Sequence, residues 1–111
     1  MNIENIQSQM RKGILEYCIL AIIGKEEIYA SDIITQLKDA ELIVVEGTLY
    51  PLLNRLKNAE FLKYNWRESI MGPPRKYYSI TEKGLAFLEE LNKTWGDLSK
   101  TVKKLTIKNT K

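Results

Sequence analysis

The chain has 111 residues, 28% of them charged, with a formal net charge of +3. That length suits one domain with a modest core and an element left over for a partner, and the mild basicity excludes a polycation that coats nucleic acid indiscriminately. Without histidine, with one cysteine and with six scattered glycines, the chain has no Ser-His or Cys-His nucleophile, metal-ligand set, disulfide framework or glycine-rich phosphate loop, so no enzyme, metal or cofactor is expected.

The first helix is expected over Ile3–Ile23. Ile3, Ile6, Met10, Ile14, Tyr17 and Ala21 make one apolar stripe, and Leu15, Cys18, Ile19 and Ile22 make a second beside it. A helix apolar over so much of its circumference is buried on more than one side, and in so short a chain one side is available to another protomer. The apolar run Cys18–Ile23 is far too short to span a bilayer, and the first twenty residues lack the pattern of a signal peptide. The expected compartment is therefore the cytoplasm. Cys18, inside that run, reads as a buried, inert thiol, and Gly24 reads as the C′ residue that ends the helix.

Ile28-Tyr29-Ala30 has the makings of a very short strand. A second helix opens at Ala30 or Ser31, carries Asp32 in its first turn, turns Ile33, Ile34 and Leu37 inward, and ends near Ala40. Leu42-Ile43-Val44-Val45 then leads into the stretch that organises the chain. There Leu49, Leu52, Leu53 and Leu56 recur at i, i+3, i+4 and i+7, marking the buried face of a helix. Tyr50, Asn54, Arg55 and Lys57 occupy the other face, with Thr48 near its start, and no acid interrupts them between Gly47 and Ala59. These side chains reach phosphates and base edges, as the second helix of a helix-turn-helix must. The bland reading is an ordinary amphipathic surface helix. Pro51 leaves two starts open: Thr48 as N-cap, which makes the missing donor of Pro51 harmless, or a start near Val45 with a distorted first turn that Gly47 permits.

Phe61–Arg67 roughly alternates and is rich in aromatics, which predicts a strand. Ser69–Pro74 holds the chain's glycine-proline cluster and predicts a loop. Arg75–Ile80 is the second strand, so a basic hairpin follows the helix-turn-helix: a winged helix. From Arg55 to Lys83, seven cations oppose three acids, and Arg75 with Lys76 is assigned to phosphate contact. Thr81 caps a last helix running to about Leu105, with Glu82 in its first turn. Leu88, Leu91, Trp95, Leu98, Val102 and Leu105 follow one another at spacings of 3 or 4, a heptad seam over more than two repeats. Such a stripe, beyond a domain already completed by its wing, needs cover. The economical cover is the same helix of a second copy with that copy's first helix, engaging Ile6, Met10, Leu88, Leu91, Trp95, Leu98 and Val102. The tail from Ser99 carries Lys100, Lys103, Lys104, Lys108 and Lys111 without an acid and is expected to fray at its end.

These residues resemble the PadR family of bacterial transcriptional regulators. The matching motifs are Gly47-Thr48-Leu49-Tyr50-Pro51 with Leu53, Arg55 and Leu56, and Arg75-Lys76-Tyr77-Tyr78-Ser79-Ile80-Thr81-Glu82-Lys83-Gly84. The resemblance spans about residues 11 to 105, and a single C-terminal helix looks like the short subfamily that includes regulators of multidrug transporters. It implies an α+β fold, with a winged helix-turn-helix DNA-binding domain over residues 1–80 and a C-terminal dimerisation helix with a basic tail over 81–111. It implies a homodimeric repressor on an inverted-repeat operator in double-stranded DNA, touching it through Thr48, Tyr50, Pro51, Asn54, Arg55, Lys57, Arg75 and Lys76. Trp95 falls where some members place a tryptophan that faces its dimer mate across a pore for flat aromatic drugs, and Trp66 matches a position that looks structural. The alternative function is a winged-helix module that binds protein instead of DNA.

Overall fold

The computed structural model describes residues 1–108. Four helices and three strands follow in the order α1 (Ile3–Ile23), β1 (Ile28–Tyr29), α2 (Ala30–Asp39), α3 (Glu46–Asn58), β2 (Leu62–Ser69), β3 (Gly72–Ile80) and α4 (Glu82–Thr106). The fold is α+β. Three helices and a small antiparallel sheet of order β1-β3-β2 enclose the core, and α4 runs out of it to give a molecule 63 Å long and 31 Å across.

Periodicity dictates what each helix buries. The second stripe of α1 supplies Leu15 and Ile19 to the core, joined by Leu20 and Ile23. Ile3 and Met10 of the first stripe stay about two-thirds exposed. Asn2 caps the helix through its side chain, which accepts the N–H of Glu4 at 2.8 Å. Gly24 ends it in an ordinary right-handed conformation (φ −65°), so the expected left-handed C′ glycine is not found. The glycine is there for closeness: a Cβ would stand 3.0 Å from Leu88 Cδ2 and 3.1 Å from the Leu20 carbonyl oxygen. Here α4 packs against the end of α1, and the Tyr17 hydroxyl donates to Asn92 Oδ1 at 2.6 Å further along.

The ends of α2 and α3 repeat one device. The Leu42 N–H donates to the Leu37 carbonyl and the Glu41 N–H to that of Lys38. Phe61 does the same to Leu56, and Glu60 to Lys57. Both are Schellman closures that require a left-handed residue, and glutamate supplies it each time, at φ 65° for Glu41 and 67° for Glu60. A left-handed L-residue costs roughly 1 kcal/mol. The closures hold because each lays an apolar residue, Leu42 or Phe61, back onto the core.

The hairpin departs from expectation. Gly72, Pro73 and Pro74 lie within β3, and the turn is Ile70-Met71 alone, since Ser69 pairs with Gly72. The prolines are tolerated because β1 reaches only Tyr77 and Tyr78, leaving this end of β3 free on its far edge, beside an irregularity between Arg67 and Ser69. Ala30, assigned by sequence to the short strand as well as to the helix, belongs to α2.

Candidate nucleic-acid interface

The helix α3 starts at Glu46, with Val45 in the cap position and no side-chain cap. This decides between the two starts. Pro51 is an interior residue, and the Gly47 carbonyl lacks its usual donor four residues on. The site tolerates this because Gly47 and Pro51 are both exposed, open to water.

Leu49, Leu53 and Leu56 are buried in the core, where α3 packs against α2 and β2. Opposite them, Gly47, Tyr50, Pro51 and Asn54 face outward, and Asn58, one turn beyond Asn54, joins them. The chain thus presents two amide side chains in register on one exposed ridge, with no acid beyond Glu46 at its start. Thr48 and Arg55 lie on the flank toward α1, where Arg55 stands 3.4 Å from Glu16 with most of its side chain exposed. Lys57 lies on the opposite flank, 5.7 Å from the Tyr64 ring on the wing.

The wing stands beside this ridge. Its register places Leu62, Tyr64 and Trp66 across from Ile80, Tyr78 and Lys76 on one face, and Arg67 across from Arg75 on the other. Adjacent in sequence, Arg75 and Lys76 therefore serve opposite faces. Lys76 lies 4.4 Å from the Tyr64 ring and 5.3 Å from that of Trp66, while Arg75 lies 5.2 Å from Tyr29. Arg67 is held by Glu27 and packs 4.1 Å over Tyr77. Trp66 is not the structural residue expected of it. It is 61% exposed, edge-on to Tyr64, and forms a wall of a groove of about 430 Å³ between the wing and α3. Tyr29, the start of α2, Tyr50, Pro74, Lys76 and Tyr78 complete the groove, and Arg75, from the other face of β3, also lines it. Burial pushes the Tyr78 phenol above its ordinary range, with Tyr50 and Tyr64 adding to the effect.

Sequence reasoning missed Asn58 and the groove role of Trp66. Asn58 was legible, four residues after Asn54 on the same face. Trp66 was not, because only the strand register sets it against Lys76.

Along α4, Leu88 and Leu91 pack against the core of their own chain, whereas Trp95, Leu98, Val102 and Leu105 are 47%, 54%, 54% and 80% exposed. On α1, Ile6 is half-buried and Met10 exposed. The stripe assigned to dimerisation is thus divided, its first two leucines already engaged and the rest bare. Lys100, Lys103 and Lys104 lie on α4 itself. Lys111 lies outside the described residues. Among the described residues no helix is long and apolar enough to cross a membrane.

The model of the transcriptional regulator PadR-like family matches residues 19–90. A solved PadR-like transcription factor from Bacteroides fragilis is 61% identical, with 92% of this chain and 99% of that chain covered and a TM-score of 0.78. A PadR-like transcriptional regulator from Bacillus cereus is 44% identical over 91% and 99%, with a TM-score of 0.81. Bacillus subtilis PadR, solved in complex with operator DNA, is 23% identical over 70% of this chain and 46% of that one, with a TM-score of 0.65, and shares the fold.

Proposed function

The chain belongs to the PadR-like family of transcriptional regulators, which are not enzymes, and we propose that it acts as a homodimeric, sequence-specific DNA-binding repressor. The observation that carries this reading is the exposed ridge of Tyr50, Pro51, Asn54 and Asn58 on α3, free of acids, with Lys57 and the basic wing on one flank and Thr48 and Arg55 on the other. An α-helix fits the major groove, where Asn pairs bidentately with an adenine edge and cations meet the phosphates on either side. The solved complex of B. subtilis PadR with operator DNA supports the assignment. The alternative, a protein-binding module, would be favoured by burial of the Tyr50-Asn54-Arg55 face in the dimer; the cations flanking an acid-free ridge favour DNA.

Homodimerisation is supported by the bare run Trp95, Leu98, Val102 and Leu105, and by the outward Ile3 and Met10. Residues 1–80 then act as the reading unit and α4 as the connector that sets the spacing of two readers. A half-exposed Trp95 in that seam, facing its symmetry mate, offers a stacking surface to a flat aromatic, cationic ligand. Saturable quenching by a planar dye, lost in Trp95→Ala, tests the ligand; equal dye affinity in that variant leaves Trp95 a packing role only. A regulator of the chromosome works in the cytoplasm. Duplex binding measured over a salt series tests the DNA reading: affinity must fall steeply with salt, and binding that ignores salt would sink it.

A further inference from the structure

The wing ends in two side chains that phosphate contact does not use. Its turn is Ile70 and Met71 alone, and these are 100% and 93% exposed. Two-residue hairpin turns ordinarily carry Asn, Asp or Gly, whose reason for being there is backbone geometry. Ile and Met have no such reason, and neither joins the hydrophobic core. The hairpin presenting them is braced. Arg67 is tied to Glu27 across the sheet, Lys76 lies against Tyr64 and Trp66, and Pro73 and Pro74 fix their own φ just behind the turn. An apolar tip on a stiff blade is built to be pushed into something.

We propose that Ile70 and Met71 form a minor-groove wedge that reads the DNA flanking the segment contacted by α3. This rests on the DNA-binding reading above. Three observations select the occupant. From Trp66 to Lys76 the hairpin carries Arg75 and Lys76, beyond an Arg67 already paired with Glu27, against the single acid Glu68, a charge pattern complementary to the two phosphate rails that border a groove. The tip belongs to the same hairpin whose inner face, with Trp66 and Lys76, walls the groove beside α3, so the wedge continues the proposed reading surface. A two-residue turn is the narrowest end a hairpin can offer to a groove about 6 Å wide.

The chemistry sets a preference. In the minor groove a G·C pair projects the guanine amino group, a donor that an apolar side chain leaves desolvated and unpaired, whereas A·T pairs present a floor free of donors. Ile and Met are also among the side chains that wedge between base steps and bend the duplex. The tip therefore favours A·T-rich, easily deformed flanks while making no hydrogen bond to them.

The test uses the full chain and a duplex selected by it from a random pool. Wild type and the double variant Ile70→Ser/Met71→Gln, which keeps every charge, are titrated against that duplex and against one whose flanks are changed from A·T to G·C. Bending is followed by end-to-end fluorescence transfer. Wild type is expected to prefer A·T flanks by about 10-fold, the size of a typical single-position discrimination. The variant should lose that preference, bend the duplex less and keep the same salt slope, because neutral side chains release no counterions. Wild type binding both flanks equally overturns the wedge without calling on any variant. So does an altered salt slope in the variant, or a flank preference it retains. If the variant instead loses only its binding to anionic phosphatidylglycerol vesicles, the tip is a membrane contact and the proposal fails. A pool from which wild type enriches nothing defeats the DNA reading itself, a result separate from all of these.

Discussion

Replacing Gly84 with alanine should unfold this protein more readily than any change of that size elsewhere on α4. Gly84 sits in the first turn of α4, where its N–H donates to the Thr81 hydroxyl oxygen at 3.0 Å. That hydroxyl donates in turn to the Glu60 carbonyl at 2.6 Å, and the Thr81 N–H donates to the Phe61 carbonyl at 3.0 Å. A Cβ on residue 84 would lie 2.1 Å from that same Phe61 oxygen and 2.7 Å from Ile80 Cγ1. The carbonyl would have to retreat by about 0.9 Å to reach even a 3.0 Å contact, and the bond to Thr81 opposes the move. Overpacking costs about 1–3 kcal/mol and a disrupted cap about 1 kcal/mol more. Alanine returns about 1 kcal/mol of helix propensity. The net loss is about 2 kcal/mol, which for a domain of this size lowers Tm by roughly 10 °C. Gly96→Ala is the control. Nothing lies within 4 Å of a Cβ there, and the position falls beside the apolar stripe, not in it, so the change should stabilise by about 0.5–1 kcal/mol. Both are measured by circular dichroism melts at one protomer concentration, since a dimer's Tm depends on it. Equal melting of the two variants would refute the claim that the Phe61 carbonyl is pinned against the helix.

Three further outcomes are expected. Asn54→Ala should relax base preference at one position per half-site, costing ~1–3 kcal/mol there; a uniform loss with preference intact would make Asn54 a backbone contact. Leu98→Glu should give monomers by sedimentation, because an unpaired charge would be desolvated in the seam. Leu98 is the cleaner probe than Leu91, which packs against its own core, and a well-folded Leu98→Glu dimer would move the interface elsewhere. Burial raises the Cys18 thiol pKa, so less thiolate is present near pH 8 than in a free cysteine, and a maleimide should label the native chain more slowly than the urea-unfolded one at every pH up to that of the raised group.

Much of the fold was legible because it obeys periodicity. Leu49, Leu53 and Leu56 sit one turn apart and are buried together, and Thr81 before Glu82 announced the start of α4. What was hidden depends on contacts that no local pattern carries. Gly72-Pro73-Pro74 spells a loop by turn chemistry, yet it pairs in β3 because the edge there is unoccupied. Glutamate gives no sign of a left-handed backbone, but Glu41 and Glu60 adopt it so that Leu42 and Phe61 can return to the core. Gly24 was misread and Gly84 left unread for the same reason: they are fixed by neighbours distant in sequence, Leu88 and the Phe61 carbonyl. Of the site, the helical ridge was visible in the sequence. The wing's cations were visible too, but not their division between faces: strand alternation separates Arg75 from Lys76 and brings Trp66 to the groove.

The central claim is that α3 and the wing grip DNA together. The measurement is the salt dependence of binding to a selected inverted repeat with half-sites about one helical turn apart, compared between wild type and Arg75→Ala/Lys76→Ala. The account predicts weaker binding to every duplex by the variant and a slope shallower by about two phosphate contacts, even though the two cations serve opposite faces of the hairpin. An unchanged slope would take the wing off the DNA and contradict it.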